Sequence, residues 1–593
     1  MTHAPLPPSP APSGPFAADL HAAPFPSRRS AVMGRGGMVA TSQPLAAMAG
    51  VRTLLAGGNA FDAAIAAAAA LAVVEPTGCG MGGDAFALLF DAATGRVDAY
   101  DGSGAAPRAA NAEALLAAGH AAVPARSAFS VTVPGAVDAW AAVAAARGTM
   151  PLAELLAPAI ALAEDGYPVS ERIAAAWHAS EALLARHVAA REHFLPGGRA
   201  PRSGEVVRLA ALGRSLRAVA DGGRDAMYRG AIADEIARTV RDAGGWLTTD
   251  DLARHAGRWV APIDVAYGPV RVFECPPPGQ GLAALIALGI ADGLRGEGGY
   301  GGDGVAGGGV AGDGGAGATS AEVGGGSGGA GTTGDGPSWG SIDHLHPLIE
   351  AMRLGFADAE AHVADPDGYA APLERLLSDE HLAAQRARIR PDRAMAEATR
   401  GIPGPGGTVY LAVVDGQGNA CSFIQSNYMG FGSGLVAGGT GIPLQNRGAG
   451  FTLAAGHPNR LTPLRRPFHT IMPGLATRVA DGSLYAAFGV MGGHMQPQGH
   501  LQVIVDMVDF GLDPQRALDA PRFQLTPGGA IALEPWFGDD VRRALADRGH
   551  TVVPRDATPS AAAFGGGQVI ALTDEGVRVG GSDPRKDGCA IAL

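Results

Sequence analysis

The sequence predicts a layered α+β fold assembled from two parts of the chain. Before residue 296, apolar residues recur mainly at the spacing of helices, with short strand-like segments between them. From Thr408 to the C-terminus most of the pattern is that of β-strands, with one helix predicted near 499–511. Because helical and strand-like segments occur in both parts, we predict that the two parts complete one common core.

The first predicted unit is a flexible N-terminal tail, residues 1–35, which is rich in Pro and Ala. It lacks the basic segment and apolar stretch of a secretory signal, so the protein is predicted to be cytoplasmic. The Ala-rich run Ala60–Val74 is predicted to be a buried helix, since it is too short to span a bilayer and contains Asp62. A strand is predicted over Ala85–Phe90.

A mainly helical region is predicted over about 150–260, followed by strand, Pro/Gly loop and helix in "YGPVRVFECPPPGQGLAALIALGIADGL". Residues 296–336 are nearly all Gly, Ala, Ser, Asp and Thr. This insert cannot bury enough apolar area to offset the entropy of ordering it, so we predict that it is disordered. An amphipathic helix is predicted within 341–366.

Composition and spacing exclude several classes of function. The net charge is −12, and basic residues form no stripe, which argues against a nucleic-acid or membrane-surface partner. The four cysteines are far apart and match neither a metal site nor a disulfide framework. His344 and His346 have no third ligand at helical spacing, so we interpret them as capping or exposed residues. No metal and no other cofactor is predicted.

Thr408 is the strongest candidate for chemistry. It follows the stretch "GPGG" and begins a strand that runs into the tight turn "DGQGN". A threonine hydroxyl is a weak nucleophile that needs an adjacent base. Cleavage of the Gly407–Thr408 bond would give Thr408 a free α-amine, whose pKa of about 8 suits it to act as that base. We therefore predict self-cleavage at this bond.

Gly492 and Gly493, in "GVMGGHMQPQGH", are candidates for an oxyanion site. They follow a predicted strand, and Gly lets two backbone N–H groups approach a substrate closely. Two other motif matches are dismissed. The GxGxxG match "GCGMGG" follows a helix rather than a strand, and the GxSxG match "GGSGG" lies within the insert.

These features occur in an order that resembles the γ-glutamyltransferase family of N-terminal-nucleophile hydrolases. The resemblance extends from about Gly36 to Leu593 and rests on collinear blocks, among them "GMVATSQPLAAMAG", "GGNAFDAAIAAAAALAVVEPTGCGMGGDAF", "PPPGQGLAAL", "GGTVYLAVVDGQGNA", "GTGIPLQN", "GVMGG" and "SDPRKDG". It implies a proenzyme with a four-layer αββα sandwich. A large subunit, 36–407, and a small catalytic subunit, 408–593, would then form a heterodimer or a dimer of heterodimers.

The resemblance also implies catalytic roles. Thr408 would form an acyl-enzyme that water or an amine then resolves. Ser426 falls where the family has a Thr that hydrogen-bonds the nucleophile. Gly492 and Gly493 would donate to the oxyanion.

The substrate-binding positions depart from the family pattern. Ser103 stands where the family has an Arg for the α-carboxylate of the γ-glutamyl group, and Gly450 stands where it has an Asp for the α-amine. Tyr428 replaces an Asn, and His469 and Thr470 replace paired serines. Each lost charge-assisted hydrogen bond is worth roughly 1.5–3 kcal/mol, so a standard γ-glutamyl pocket is predicted to be absent.

Five residues, three of them among these replacements, are predicted to bind a different substrate: Arg447, His469, Thr470, Tyr428 and His494. Of these, Arg447, His469 and His494 supply polar and cationic groups that would suit a smaller acid such as oxamate. The alternative is that Arg447, His469 and His494 only anchor loops.

The predicted function is therefore that of a self-cleaving amidase acting on amides of small acids. Four alternatives stay open: a true γ-glutamyltransferase or glutathione hydrolase, an oxamate amidohydrolase, a β-lactam acylase and a non-catalytic binding homologue. Retention of Thr408, Ser426 and the Gly492–Gly493 pair argues against the last of these.

Deletion of residues 296–336 is expected to leave folding, self-cleavage and turnover nearly unchanged. Changing the length of a surface loop alters its closure entropy little, by about 0.6 kcal/mol for each doubling. A denaturing gel for cleavage and a comparison of Tm with the full chain provide the check. A deletion variant that fails to fold would show that the insert is structural.

Overall fold

A computed structural model describes residues 25, 27, 29–295, 337–396 and 407–593. The insert predicted over 296–336 and the Gly/Pro-rich stretch before Gly407 lie outside the described residues. None of the helices in the described ranges is both long enough and apolar enough to cross a membrane.

The strands of the described residues are β1 (Val32–Gly34), β2 (Gly37–Thr41), β3 (Asp84–Asp91), β4 (Arg96–Asp101), β5 (Tyr167–Pro168), β6 (Val206–Val207), β7 (Arg258–Val260), β8 (Ile263–Tyr267), β9 (Val270–Glu274), β10 (Gly407–Asp415), β11 (Ala420–Tyr428), β12 (Val436–Ala437), β13 (Ile442–Pro443), β14 (Gly474–Arg478), β15 (Leu484–Met491), β16 (Phe523–Leu525), β17 (Ile531–Leu533), β18 (Gly566–Leu572), β19 (Arg578–Ser582) and β20 (Cys589–Ala592).

The helices are α1 (Pro44–Leu55), α2 (Ala60–Val74), α3 (Ala112–Ala117), α4 (Ala136–Arg147), α5 (Leu152–Asp165), α6 (Glu171–Ala179), α7 (Glu181–Leu184), α8 (Val188–Phe194), α9 (Ala210–Gly222), α10 (Asp225–Tyr228), α11 (Ala231–Asp242), α12 (Thr249–Ala253), α13 (Gly281–Arg295), α14 (Ile342–His362), α15 (Leu373–Leu376), α16 (Asp379–Arg386), α17 (Met495–Val508), α18 (Pro514–Asp519) and α19 (Asp539–Asp547).

Two seven-stranded antiparallel sheets pack face to face at the centre. The first sheet has the strand order β1-β19-β18-β15-β14-β9-β8, and the second has the order β20-β2-β10-β11-β3-β4-β7. Helices α13, α17 and α18 cover the outer face of the first sheet, and α1, α2 and α4 cover that of the second. The predicted α+β class with αββα layers is confirmed.

Three large apolar clusters fill the three spaces between these layers. One lies between α1, α2, α4 and the second sheet, one between the two sheets, and one between the first sheet and α13, α14 and α17. The predicted helix α2 is buried at every position. Its small Ala side chains let it pack closely against α1 and α5 and also against β10 and β11.

Strands β10 and β11 form a hairpin whose turn is the predicted "DGQGN". Because α2 covers one face of this hairpin and the first sheet the other, nearly every residue in it is buried. Polar side chains on the inner face pair with each other: Tyr410 Oη lies 2.8 Å from Ser422 Oγ. The hairpin lies between β2 and β3, so residues before and after Thr408 contribute neighbouring strands to one sheet.

The predicted boundary of the N-terminal tail needs correction. Val32–Gly34, within the predicted tail, forms β1 and pairs with β19 at the edge of the first sheet. Phe25 is also buried, with its ring centroid 4.7 Å from that of Trp339. The folded chain therefore begins before residue 36.

The interpretation of His344 and His346 as exposed residues is wrong, because both are buried in α14. The capping interpretation fits His344, whose Nδ1 accepts from Gly340 N at 2.9 Å just before the start of the helix. His346 Nδ1 lies 2.7 Å from His550 Nε2. The ring of His344 packs on the aromatic rings of Trp339 and Phe510. Burial lowers the pKa of His344 to about 3.

Replacement of His344 by Phe is expected to flatten the dependence of stability on pH. In the unfolded chain a histidine gains a proton below a pKa of about 6.5, whereas His344 in the fold stays neutral until about pH 3. As pH falls from 7 to 5, His344 therefore lowers the free energy of unfolding by up to about 1.4 kcal/mol per pH unit. His344→Phe removes this contribution.

The measurement is denaturant unfolding of both proteins at pH 7, 6 and 5. The matched control is His178→Gln, since the His178 side chain is 81% exposed. The control should reproduce the wild-type pH dependence. A His344→Phe variant with the same pH dependence as wild type would contradict the assignment of a neutral buried imidazole.

Candidate active site

Thr408 and Ser426 meet at the open end of the β10–β11 hairpin. The register pairs Gly407 with Tyr428 and Val409 with Gln425, which leaves Thr408 at an irregularity in the ladder. Thr408 Oγ1 lies 3.3 Å from Ser426 Oγ, and both residues are buried. The structure thus places the predicted nucleophile beside its predicted partner.

The hydroxyl of Ser426 also contacts the peptide bond predicted to be cut. Ser426 Oγ donates to the carbonyl oxygen of Gly407 at 2.6 Å and accepts from Tyr428 N at 2.8 Å. Because serine has one hydroxyl proton and Gly407 O takes it, Thr408 is the donor in the contact between the two hydroxyls. One side chain therefore polarises the carbonyl and also accepts from the hydroxyl that would attack it.

Gly492 and Gly493 form a turn between β15 and α17. Their φ angles are 119° and 64°, values that favour Gly. The carbonyl oxygens of the turn accept from Met495 N at 3.1 Å and Gln496 N at 3.2 Å. Among the described residues neither glycine N–H donates a hydrogen bond, so both N–H groups are available to an oxyanion.

Arg447 is the most unusual charged group of the site, because it is completely buried without an ion pair in the described part of the chain. Its Nη1 donates to Thr470 Oγ1 at 2.9 Å, and its guanidinium lies 4.5 Å from the ring centroid of Tyr428. Its Nε and Nη2 have no partner among the described residues. Burial lowers the pKa of Arg447 to about 10, so it is still a cation at neutral pH.

Asp84, at the start of β3, organises the other side of the site. Its Oδ1 accepts from Gly104 N at 3.2 Å, Gly135 N at 3.1 Å and Gln445 Nε2 at 3.1 Å. Its Oδ2 lies 2.9 Å from Nε2 of His469. Sequence reasoning did not single out Asp84, although it directly follows the glycines of "GCGMGGDAF", where a functional carboxylate could have been suspected.

The substrate-binding role of His469 stays a prediction. Both of its ring nitrogens already have protein partners. Nδ1 lies 2.7 Å from the carbonyl oxygen of Pro467, and Nε2 contacts Asp84. Burial lowers the pKa of His469, and the carboxylate of Asp84 opposes this effect. His469 thus positions the chain next to Thr470.

His494 follows the glycine turn and stacks on Phe468, with ring centroids 5.6 Å apart. Burial, with a smaller contribution from the positive charge of Arg447, lowers its pKa to about 4. His494 is therefore a neutral imidazole in the neighbourhood of Arg447 at neutral pH.

Gly450 and Ser103, where the resemblance leads us to expect an Asp and an Arg, are both tightly surrounded by neighbouring atoms. A Cβ atom at Gly450 would lie 2.5 Å from the carbonyl oxygen of Phe468, so an Asp there would require the backbone to shift. The hydroxyl of Ser103 donates to the carboxylate of Asp101 and has no exposed surface. Arg466 Nε, in turn, donates to the carbonyl oxygen of Ser103 at 3.0 Å. Both backbone and side-chain contacts therefore restrict what these two positions can hold.

The structure connects most of the predicted site residues by direct contacts. Thr408 contacts Ser426, Ser426 contacts Tyr428, and Tyr428 contacts Arg447, which in turn contacts Thr470. Within the ranges that the structure describes, no group of three or more His, Cys, Asp or Glu side chains is arranged to hold a metal ion.

Comparisons with known proteins show which family the chain resembles over most of its length. A family model described as "Gamma-glutamyltranspeptidase" matches residues 46–306 and 329–593, so the unmatched gap falls within the insert. The glutathione hydrolase-like YwrD proenzyme of Bacillus subtilis is 37% identical, over 95% of this chain and 99% of the relative. The oxamate amidohydrolase proenzyme of Klebsiella pneumoniae is 34% identical, over 93% of this chain and 98% of the relative.

Among solved structures, a cephalosporin acylase from Bacillus halodurans is similar, with a TM-score of 0.83 and 43% identity. The match covers 97% of this chain and 99% of that chain.

Proposed function

The chain belongs to the gamma-glutamyltranspeptidase family, and from this premise we propose that it is a proenzyme that cuts its own Gly407–Thr408 bond and then hydrolyses amides of small carboxylic acids. The observation that carries the proposal is the position of Ser426, whose hydroxyl contacts both Thr408 Oγ1 and the carbonyl oxygen of Gly407. The relatives are proenzymes of hydrolases and acylases, which supports the same class of chemistry.

Self-cleavage begins with attack of Thr408 Oγ1 on the carbonyl carbon of Gly407. The new C–O bond replaces the peptide C–N bond, and the nitrogen of Thr408 takes up a proton, which gives an ester and a free α-amine. Water then hydrolyses the ester and releases the carboxylate of Gly407 and the hydroxyl of Thr408. Ser426 polarises the carbonyl and holds the attacking hydroxyl in place.

In the mature enzyme the α-amine of Thr408 accepts the hydroxyl proton as Oγ1 attacks the amide carbonyl of the substrate. The N–H groups of Gly492 and Gly493 stabilise the negative oxygen of the tetrahedral intermediate. The proton passes to the leaving nitrogen as the C–N bond breaks, and water then resolves the acyl-enzyme to a free acid.

Arg447 supports an acidic acyl group as the substrate. Its Nε and Nη2 are the two donors that match the two oxygens of a carboxylate. The carboxylate of Asp84, by contrast, is already surrounded by four protein groups. An ammonium group next to the carboxylate, as in a γ-glutamyl substrate, would be buried without the Asp that other members supply, which is unfavourable.

A β-lactam side-chain acylase is the second candidate, because a structure with 43% identity over almost the whole chain is that of a cephalosporin acylase. A screen of γ-glutamyl anilide, a cephalosporin amide and small acid amides on the purified enzyme decides between them.

We also propose that the two chains stay together as a heterodimer in the cytoplasm. Separation of the two chains would break five strand pairings: β1–β19, β2–β10, β2–β20, β3–β11 and β9–β14. The four cysteines are free, as is usual for proteins of reducing compartments.

Thr408→Ala is expected to remain a single chain and to be inactive, because it lacks the attacking oxygen. A denaturing gel and an amidase assay measure both effects. The control is Thr477→Ala, which changes a buried threonine of β14 in the first sheet. This variant should cut its Gly407–Thr408 bond normally. Cleavage of Thr408→Ala at the same bond at the wild-type rate would refute the assignment of the nucleophile.

Arg447→Met is expected to lower kcat/KM for oxamate by at least about 10- to 150-fold, since loss of one charge-assisted hydrogen bond costs roughly 1.5–3 kcal/mol and Arg447 would make two. Oxamide, which has no carboxylate, is the comparison substrate and should change little. An equal loss for the two substrates would show that Arg447 does not bind the carboxylate. A wild-type enzyme with a low-micromolar KM for glutathione would contradict the preference for small acids.

A further inference from the structure

Gln280 connects the two halves of the candidate site. It lies directly before α13, and its side chain is completely buried. Its Nε2 donates to the carbonyl oxygen of Thr470 at 2.5 Å and to that of Gly493 at 3.0 Å. Since Thr470 also accepts from Arg447, Gln280 links the proposed carboxylate anchor to the glycine turn.

The backbone of Gln280 is fixed on the side of Thr470. Gln280 N donates to the carbonyl oxygen of His469 at 3.0 Å, and His469 N donates to that of Pro278 at 2.8 Å. With both bonds in place, the backbone of Gln280 is held against that of His469. From this fixed backbone the side chain of Gln280 extends to the carbonyl oxygen of Gly493.

The contacts also determine which way the amide group of Gln280 points. If it were reversed, Oε1 would face two carbonyl oxygens with no hydrogen between them. Oε1 therefore points away from both and has no partner among the described residues. The Nε2 group of Gln280 therefore donates to the carbonyl oxygens of both Thr470 and Gly493.

We propose that Gln280 is a positioning residue that sets the distance between Arg447 and the Gly492–Gly493 turn, and thereby restricts the enzyme to short acyl groups. This inference rests on the proposed function. Because one nitrogen contacts both carbonyl oxygens, these oxygens lie within about 6 Å of each other. Since Arg447 contacts Thr470, a carboxylate bound to Arg447 would then lie close to the carbonyl under attack, as in the monoamides of short dicarboxylic acids.

The test compares the monoamides of the two-, three- and four-carbon dicarboxylic acids as substrates of wild type and Gln280→Met. Met has a similar length but cannot donate to the carbonyls. In wild type we expect kcat/KM to fall by about 10- to 200-fold for each added methylene. In Gln280→Met the ratio of kcat/KM for oxamate to kcat/KM for the longer amides should be at least tenfold smaller than in wild type. The main cause should be a lower KM for the longer amides relative to that for oxamate.

Gln502→Met is the matched control, because Gln502 is also a buried glutamine that bridges two backbone carbonyls, those of Gln498 at 2.8 Å and Phe523 at 3.2 Å. It lies in α17 and contacts none of the site residues named above. We expect it to lower stability and to leave the discrimination between amides at the wild-type value.

A Gln280→Met enzyme that loses activity equally on all three amides would overturn the proposal, because Gln280 would then support the turn without setting length. If Gln280→Met does not self-cleave, the ratio of kcat/KM between the amides is measured on Gln280→Glu. This variant keeps the shape of the side chain and loses the amide that bridges the two carbonyls. A wild-type enzyme that hydrolyses none of the three amides would contradict the proposed function itself, whatever the variants do.

Discussion

The pairing of β10 with β11 is the constraint on which the geometry of the site depends. It places Ser426 beside Thr408 and, at the same time, beside the carbonyl of Gly407. A slip of one residue in this register would turn one of the two hydroxyls to the opposite face of the sheet. The hairpin cannot slip easily, because α2 covers one face, the first sheet covers the other, and β2 and β3 hold its two edges.

Buried charge explains how the remaining parts of the site are arranged. Asp84 gathers donors from four segments of the chain and thereby holds the loops at Gly104 and Gly135 and the segments at Gln445 and His469 in place. Arg447 differs, since it is buried and two of its nitrogen donors have no partner in the described ranges of the chain. The carboxylate of Asp84 favours the charged form of Arg447 from a distance, but no carboxylate of the described residues forms an ion pair with it, which is consistent with a site that binds an anionic ligand.

Backbone packing as well as side-chain contacts shapes the surroundings of the site. Gly450 has no room for a side chain because of the carbonyl of Phe468, and Ser103 is tied to Asp101 and Arg466. Gln280 holds Thr470 and Gly493 at a fixed separation. A side chain at Gly450 would require the backbone at Phe468 to move.

The sequence by itself determined the α+β class, the buried helix α2, the β10–β11 hairpin and the pairing of Thr408 with Ser426, because periodicity, turn residues and a family pattern are carried by neighbouring positions. It did not reveal that Phe25 and β1 join the core, that His344 is buried, or that Asp84 and Gln280 organise the site. Asp84 and His469 are 385 residues apart in the chain. Which buried polar groups meet at such distances is decided only when the layers pack, since each donor and acceptor removed from water must then find a partner.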